Sequence, residues 1–504
     1  VTHPENRPVR KIVIVGGGSA GWMTAAALSS LLAPRAVQIV LVESDEIGTV
    51  GVGEATIPDI INFNHLLGIP ETEFLTAVKG TFKLGIEFVD WSAIGETYFH
   101  PFGVHGADMQ GIDFHQYWLR SREKDKNSRL EHYSLCAAAA KANKFYLPEN
   151  DPRSVLSRIR YAYHFDATAY ARYLRQYAEQ RGVLRIEGKI VSVDLSPSTG
   201  FIESLLLDRE ERVAGDLFID CSGFRALLLE GRLGVPFRDW SHFLPCDTAQ
   251  AVACEKSGPL LPYTRSTATR SGWRWRIPTR HRTGNGQIYC SGFMSDEEAI
   301  ESLTTNLDGA QIGTPRRIKF QTGHRERFWE KNCIAIGLSG GFLEPLESTS
   351  LFLIQEGISK LIALFPTARM PDVVRRQYNA LLTKKFEQVR DFIILHYKAT
   401  KRDDSPFWNY CRTMEIPDSL SERIALFEEA GRVFRYEDEL FSRTSWVAVM
   451  VGQNIMPRSS DPIANTVEFE AVEKSLSSMR LAIANAAEKM PLHEHFLQKY
   501  APAG

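Results

Sequence analysis

The sequence predicts an α/β fold, in the mixed α+β sense, with a sheet core assembled from distant segments and a last third that is mainly helical. Three observations carry that expectation. Residues 11–43 read as strand, glycine turn, helix and strand; other buried-strand patterns lie far apart along the chain; and beyond Leu351 the apolar spacing turns helical.

Lys11 to Val15 is a short apolar run that meets a glycine turn, so it reads as a buried strand and not as a signal peptide. Gly16, Gly18 and Gly21 then fill the G-x-G-x-x-G spacing. The first glycine permits a tight turn, the second lets backbone approach phosphate, and the third packs helix on strand. Ala20 to Leu32 carries apolar residues on a helical period, and Val37 to Val42 is a second buried strand ending at Glu43. A carboxylate there, about 20 residues past the turn, accepts hydrogen bonds from ribose hydroxyls. The unit is Rossmann-like and holds a dinucleotide, with FAD and NAD both open.

Further strand patterns fall at Thr81 to Val89, Val191 to Val193, Asp216 to Asp220 and Ile334 to Ile336. Their separation implies a discontinuous core over residues 8–350, with substrate-side insertions between its pieces. Leu353 to Leu364, Val374 to Val389, Leu420 to Ala430 and Ala471 to Lys489 show helical periodicity, so residues 351–504 are expected to form a mainly helical region packed on that core.

Bulk properties narrow the class of partner. The 504 residues are 44% hydrophobic and 24% charged, with a formal net charge of -2, which leaves no electrostatic footprint for nucleic acid or an anionic membrane. A small-molecule substrate is expected instead. No apolar run approaches the roughly 18 residues of a membrane-spanning helix. Seven scattered cysteines without a Cys-x-x-Cys pair fit reduced thiols in a cytoplasm and no metal site.

Asp216 to Arg225 is an apolar strand followed by Asp220 and a glycine-containing turn. It resembles the second flavin fingerprint of FAD-dependent hydroxylases; Asp220 capping a turn is the alternative. Only one G-x-G-x-x-G is present, so no second Rossmann unit serves NAD(P)H. Reduced FAD is therefore expected from a separate NAD(P)H-dependent flavin reductase.

In Ser271-Gly-Trp-Arg-Trp-Arg-Ile-Pro278, Trp273, Trp275 and Ile277 alternate with Arg274 and Arg276, which alone reads as a half-buried strand with one aromatic and one basic face. Beside the glycine turn, the run up to Pro278 closely resembles the signature of flavin-dependent halogenases. Gly51-Val-Gly-Glu-Ala-Thr-Ile-Pro58, Thr81-Phe-Lys-Leu-Gly-Ile-Glu-Phe88, His100-Pro-Phe-Gly103 and Phe342-Leu-Glu-Pro-Leu-Glu-Ser-Thr349 match in the same order. Over nearly its whole length the chain resembles the flavin-dependent tryptophan halogenases.

The resemblance implies that reduced FAD, O2 and a halide, chloride or bromide, yield hypohalous acid that travels inward to a lysine beside an aromatic substrate. Lys83 matches that lysine. From its residues alone, the Lys83 and Glu87 strand also reads as a solvated ion-paired face. Glu347 and Ser348 match the active-site pair, where a buried carboxylate polarises the electrophile, stabilises the cationic ring and accepts its proton; a helix-start carboxylate is the plainer reading. Ser19, Ala20, Gly53, Glu54, Ala55, Thr56 and Gly337 complete the implied cofactor set, and His100, Phe102 and Trp446 the implied substrate set. His100 and Phe102 also read as an ordinary turn and core residue.

Two departures bear on halide and substrate. The family's backbone amides of Thr and Gly hold the halide; here these are Thr349 and Ser350. A serine in a glycine-type conformation is strained by roughly 1 kcal/mol, so chloride is expected to suffer and bromide to be preferred. Family members acting on free tryptophan carry a Tyr-Tyr pair that clamps the amino-acid backbone, where this chain has Trp446 and Val447. Indole or an indole-like aromatic is therefore expected over free tryptophan. A flavin-dependent aromatic monooxygenase and a non-catalytic flavin-binding protein are the rival readings.

Overall fold

The computed structural model describes residues 7–32, 36–46, 53–436 and 438–502, so Gly51 and Val52 of the Gly51–Pro58 motif lie outside the described residues. Lys11–Val15 is buried along its apolar run and lies at the centre of a parallel sheet. It pairs with Gln38–Glu43 on one side and Leu217–Asp220 on the other. Cys333–Ala335 and Leu184–Glu187 extend the sheet in parallel, and Trp329–Glu330 closes one edge antiparallel. Segments distant in sequence thus assemble the Rossmann-like domain. Both sheet faces are covered, as parallel sheets require. Ile12 and Ile14 face the main core, while Val13, Val15, Val40 and Val42 pack against Leu205, Leu228 and Leu229.

Val191–Val193 does not join this sheet. It belongs to Ile190–Leu195, in an antiparallel three-stranded sheet with Ile202–Leu207 and Arg212–Ala214.

The second large sheet has seven strands among the described residues, ordered Gln311–Lys319, Thr248–Glu255, Arg282–Tyr289, Gly272–Pro278, Thr264–Thr269, Gly85–Val89 and Thr97–Pro101. Gly272–Pro278 shows the expected alternation: Trp273, Trp275 and Ile277 are buried, and Arg274 and Arg276 are partly exposed. Trp275 lies opposite Gly286, where a Cβ would stand 2.0 Å from the indole ring. A small residue is obligatory there.

The expected single strand Thr81 to Val89 is two strands in different sheets. Thr81–Lys83 pairs with Ala162–Asp166, whereas Gly85–Val89 pairs with Thr264–Thr269 and Thr97–Pro101. The chain turns at Leu84, whose N–H donates to Pro262 O and whose carbonyl accepts from Phe102 N–H. A Cβ on Gly85 would lie 2.4 Å from His100 O, so the strands meet closely there. The solvated Lys83–Glu87 pair is thereby excluded. Lys83 has no exposed surface, and Glu87 pairs with Arg265 at 2.6 Å.

Beyond Phe342 the described chain is helical, with Ser350–Ala363, Asp372–Lys398, Asp418–Ala430, Arg443–Gly452 and Phe469–Lys489 as its main helices. One apolar core runs from Ile14 of the parallel sheet through Trp273 to Phe392 and Trp446 of the helical region. All seven cysteines are buried and unpaired. Among the described residues no helix is long and apolar enough to cross a membrane, and no cluster of His, Cys, Asp or Glu is arranged to hold a metal.

Candidate active site

A cavity of about 460 Å³ opens at the carboxyl ends of the parallel strands. Gly16, Gly18, Ser19, Ala20, Glu43, Gly53, Glu54, Ala55 and Gly337 line it, as do Trp273, Trp275, Ile277, Ser348 and Ser350. Gly16 has φ +106, and a Cβ there would sit 2.3 Å from Cys221 O. Gly18 meets nothing within 4 Å and leaves its backbone open to the cavity, while Gly21 lies under Gly16 O. Helix Ser19–Leu31 starts without a side-chain cap or an acidic first turn, so its amides remain available to an anion. Glu43 Oε1 is held by Arg185 at 2.5 Å. These features fit a dinucleotide: a pyrophosphate on the helix start and ribose hydroxyls on Glu43.

Two residues expected on the cofactor stand behind the wall. Asp220 is fully buried and does not line the cavity. Its carboxylate accepts from Ser222 N–H and O–H and from the N–H groups of Leu228 and Leu229, so it organises the 221–225 turn, the capping alternative. Thr56 exchanges hydrogen bonds with the Tyr163 backbone, and its carbonyl points to Lys83.

Lys83 Nζ donates to Thr56 O at 3.0 Å and to Ser348 Oγ at 2.7 Å, and lies 5.1 Å from the Phe102 ring centre. Ser348 lines the cavity, so it bridges that space to the lysine. Burial pushes the Lys83 ammonium down to about 7, against the opposing carboxylates of Glu347 and Glu54. Burial likewise lifts the Glu54 carboxyl to about 7, against the Ala55 amide and Lys83. Thr81, on the same strand as Lys83, donates to Pro278 O and ties the tryptophan strand to the lysine.

Glu347 lies on the far side of Ser348. His100 Nδ1 faces both its oxygens, at 2.9 and 3.1 Å, and His396 Nε2 stands 2.9 Å from Oε1. Despite that distance, His396 Nε2 is not in a formed hydrogen bond among the described residues. Burial works to raise the Glu347 carboxyl, but the two histidines override it and hold it at about 2. Trp446 is buried edge-on to Phe392, with ring centres 4.8 Å apart, and among the described residues its Nε1 has no hydrogen-bond partner. Thr349 Oγ1 is likewise buried and unpartnered.

The strain expected at Ser350 is absent. Ser350 is the first residue of its helix, and the left-handed residue is Ser348, at φ +59. The loop needs its unusual conformation two positions earlier.

Sequence reasoning missed His396 and Glu344. His396 sits on an apolar helix face without a motif, where a histidine reads as core. Glu344 accepts from Trp273 Nε1 and Tyr397 O–H, each at 2.9 Å, and so fixes the indole that walls the cavity. Its place in the Phe342–Thr349 motif was the available signal.

The family model for tryptophan halogenase matches residues 11–468. The chain is 35% identical to tryptophan 6-halogenase SttH of Streptomyces toxytricini, over 93% of this chain and 94% of that protein. Among solved structures it resembles Xcc4156, a flavin-dependent halogenase from Xanthomonas campestris, at 46% identity and TM-score 0.95, covering 99% of each chain. BrvH, a flavin-dependent halogenase from Brevundimonas sp. BAL3, gives 45% identity and TM-score 0.94 over 98% of this chain and 99% of that one. With the glycine turn, the buried Lys83 and the Glu347–Ser348 pair in one place, the chain belongs to the tryptophan halogenase family, whose members here are flavin-dependent halogenases.

Proposed function

We propose that the protein uses reduced FAD, O2 and chloride or bromide to make hypohalous acid, and transfers the halogen to an electron-rich aromatic ring. The observation that carries this reading is Lys83: a fully buried amine joined through Ser348 to the cavity wall, with Glu347 one residue further. Bound reduced FAD would supply the two electrons that activate O2, and O2 the oxidising power that converts halide to hypohalous acid. Two Lys83 hydrogens are committed to Thr56 O and Ser348 Oγ. An ammonium keeps a third to hydrogen-bond hypohalous acid, and a neutral amine keeps a lone pair that forms a haloamine. With the group at about 7, both forms are populated near neutrality. Glu347, held ionised beside Ser348, would stabilise the cationic ring by its charge.

For the halide, the start of helix Ser350–Ala363 has no side-chain cap and no acidic first turn. The bromide preference loses its strain argument and rests only on the Ser350 side chain lining the cavity. Indole in preference to free tryptophan rests on Trp446 and Val447. Against it stand the names of curated relatives, which include tryptophan 6- and 7-halogenases. A separate flavin reductase is implied by the single glycine turn.

The test is mass spectrometry of indole and tryptophan incubated with the protein, FAD, O2, NADH, bromide or chloride, with and without a flavin reductase. Halogenated product should require both halide and reductase, and kcat/KM should be higher for indole. An oxygenated product that ignores bromide, or robust NADH oxidation by the protein alone, points to a monooxygenase.

A further inference from the structure

Behind the cavity wall two oxidisable rings share one carboxylate. Trp273 lines the cavity, and its Nε1–H donates to Glu344 Oε2 at 2.9 Å. Tyr397, on helix Asp372–Lys398, donates its O–H to the same oxygen at 2.9 Å and does not line the cavity. Neither Glu344 nor Tyr397 has exposed surface, and among the described residues Glu344 Oε1 has no hydrogen-bond partner. Trp91 packs beside both rings, its centre 6.5 Å from that of Trp273 and 5.2 Å from that of Tyr397. No cation pairs with Glu344 among the described residues, and burial lifts its carboxyl to about 7 against the two hydrogen bonds. Bonds from two neutral rings repay little of the cost of burying a charge, whereas a basic oxygen between them is what a proton acceptor requires.

The neighbouring indoles lack such an acceptor. Trp91 Nε1 donates to Ser266 O at 3.1 Å and Trp408 Nε1 to Thr269 O at 2.7 Å, while Trp275 Nε1 has no partner among the described residues. A backbone carbonyl cannot carry a proton away; a carboxylate can. Loss of an electron makes an indole N–H or a phenol O–H strongly acidic, so of these rings only Trp273 and Tyr397 can give up an electron and a proton together. We propose that Trp273, Glu344 and Tyr397 form a radical relay: a one-electron oxidant in the cavity is quenched at Trp273, and the oxidised site passes to Tyr397 behind the wall, with Glu344 as the proton acceptor. The inference rests on the halogenase reading only for the oxidant, an oxygen- or halogen-centred radical from homolysis of the oxygen–halogen bond of hypohalous acid.

The steps balance. The oxidant takes one electron from Trp273 and leaves as hydroxide or halide, the Nε1 proton passes to Glu344, and a neutral tryptophan radical remains. Tyr397 then gives an electron to Trp273, while Glu344 returns a proton to Nε1 and receives the phenolic proton. Near neutrality a phenol gives up electron and proton together more readily than an indole, so the transfer runs outward. The net change is one electron lost from Tyr397 and one proton held by Glu344. A soluble one-electron reductant of the ascorbate class restores Tyr397, which recovers its proton from Glu344.

The experiment is a blue laser flash on protein loaded with oxidised FAD and free of halide, so that light supplies the one-electron oxidant in the cavity. Transient absorption and electron paramagnetic resonance read the radicals, and FAD titration checks that each variant is folded and loaded. Wild type should show a tryptophan radical that decays into a tyrosyl radical, more slowly in D2O because a proton moves with the electron. Tyr397→Phe should lose the tyrosyl signal, and Glu344→Gln should stop at a tryptophan radical that keeps its proton. A tyrosyl radical that persists in Tyr397→Phe, or forms at wild-type rate in Glu344→Gln, overturns the relay. So does a wild type without the tyrosyl radical or without the isotope effect, even if neither variant folds. In a second arm, with flavin reductase, bromide and ascorbate, Tyr397→Phe should start at the wild-type rate and lose activity sooner; equal lifetimes overturn the protective role. No brominated product from wild type would refute the halogenase reading instead, and the light arm, which contains no halide, still decides the relay.

Discussion

Lys83 has no exposed surface, and its ammonium sits where burial outweighs the pull of Glu347 and Glu54, at about 7. In the unfolded chain the group titrates near the ordinary lysine value of 10.5. Between those limits the unfolded state binds more protons, so this residue's contribution to stability rises with pH from about 7 to 10.5, and below about 7 the desolvated charge is a full cost. Lys83→Met should therefore abolish halogenation, keep FAD affinity, and raise stability at pH 7 by roughly 1–2 kcal/mol after the lost hydrogen bonds at Thr56 and Ser348 are counted. Denaturant unfolding at several pH values checks the stability and its flattened pH rise; a tenth or more of wild-type turnover would remove Lys83 from the reaction. At this scale the motifs made Lys83, Glu347 and Ser348 legible. They did not show which residue of the loop takes the left-handed turn, because Ser348 and Ser350 are the same residue type two places apart and only packing separates them.

Among the elements, the glycine turn separates folding from binding. A side chain at Gly16 collides with the Cys221 carbonyl in a backbone conformation that already disfavours one, whereas the same atom at Gly18 meets only the cavity. Gly16→Ala should be poorly folded; Gly18→Ala should fold with wild-type Tm yet bind FAD at least about tenfold more weakly. Calorimetry and FAD titration of the two variants check this, and equal behaviour in both would refute it. The first strand, helix and second strand were readable because their periodicity is local. The split of Thr81 to Val89 was not, since alternation is unchanged across Leu84 and the division comes from Gly85 meeting His100 O in a neighbouring strand.

For the whole molecule, residues 8–350 and 351–504 share one apolar core, in which Ile14, Trp273, Phe392 and Trp446 belong to a single cluster. A fragment ending at 350 would expose the faces covered by helices Ser350–Ala363 and Asp372–Lys398. It should be insoluble or bind the dye ANS strongly, and the full chain should unfold in one calorimetric transition. A soluble, cooperatively folded fragment would contradict this. Most of the seven-stranded sheet, beyond the Gly272–Pro278 and Gly85–Val89 strands, escaped the sequence for a related reason. Arg282–Tyr289, RTGNGQIY, is almost wholly buried yet polar and rich in glycine, because its neighbours and the Trp275 indole occupy the space that large side chains would fill.

The seven buried, unpaired cysteines bear on endurance. Thiolates, not thiols, are what oxidants attack, and burial pushes Cys136 up to about 11 and Cys221, Cys246, Cys333 and Cys411 in the same direction. If hypohalous acid forms within the protein's walls, as proposed above, burial keeps this sulfur out of the line of fire. Wear from stray oxidant should fall first on outward rings such as Tyr436, which is 60% exposed. After prolonged turnover with bromide, peptide mapping should find bromine on such tyrosines while the thiols remain reduced; oxidised cysteines appearing first would show that burial does not protect them.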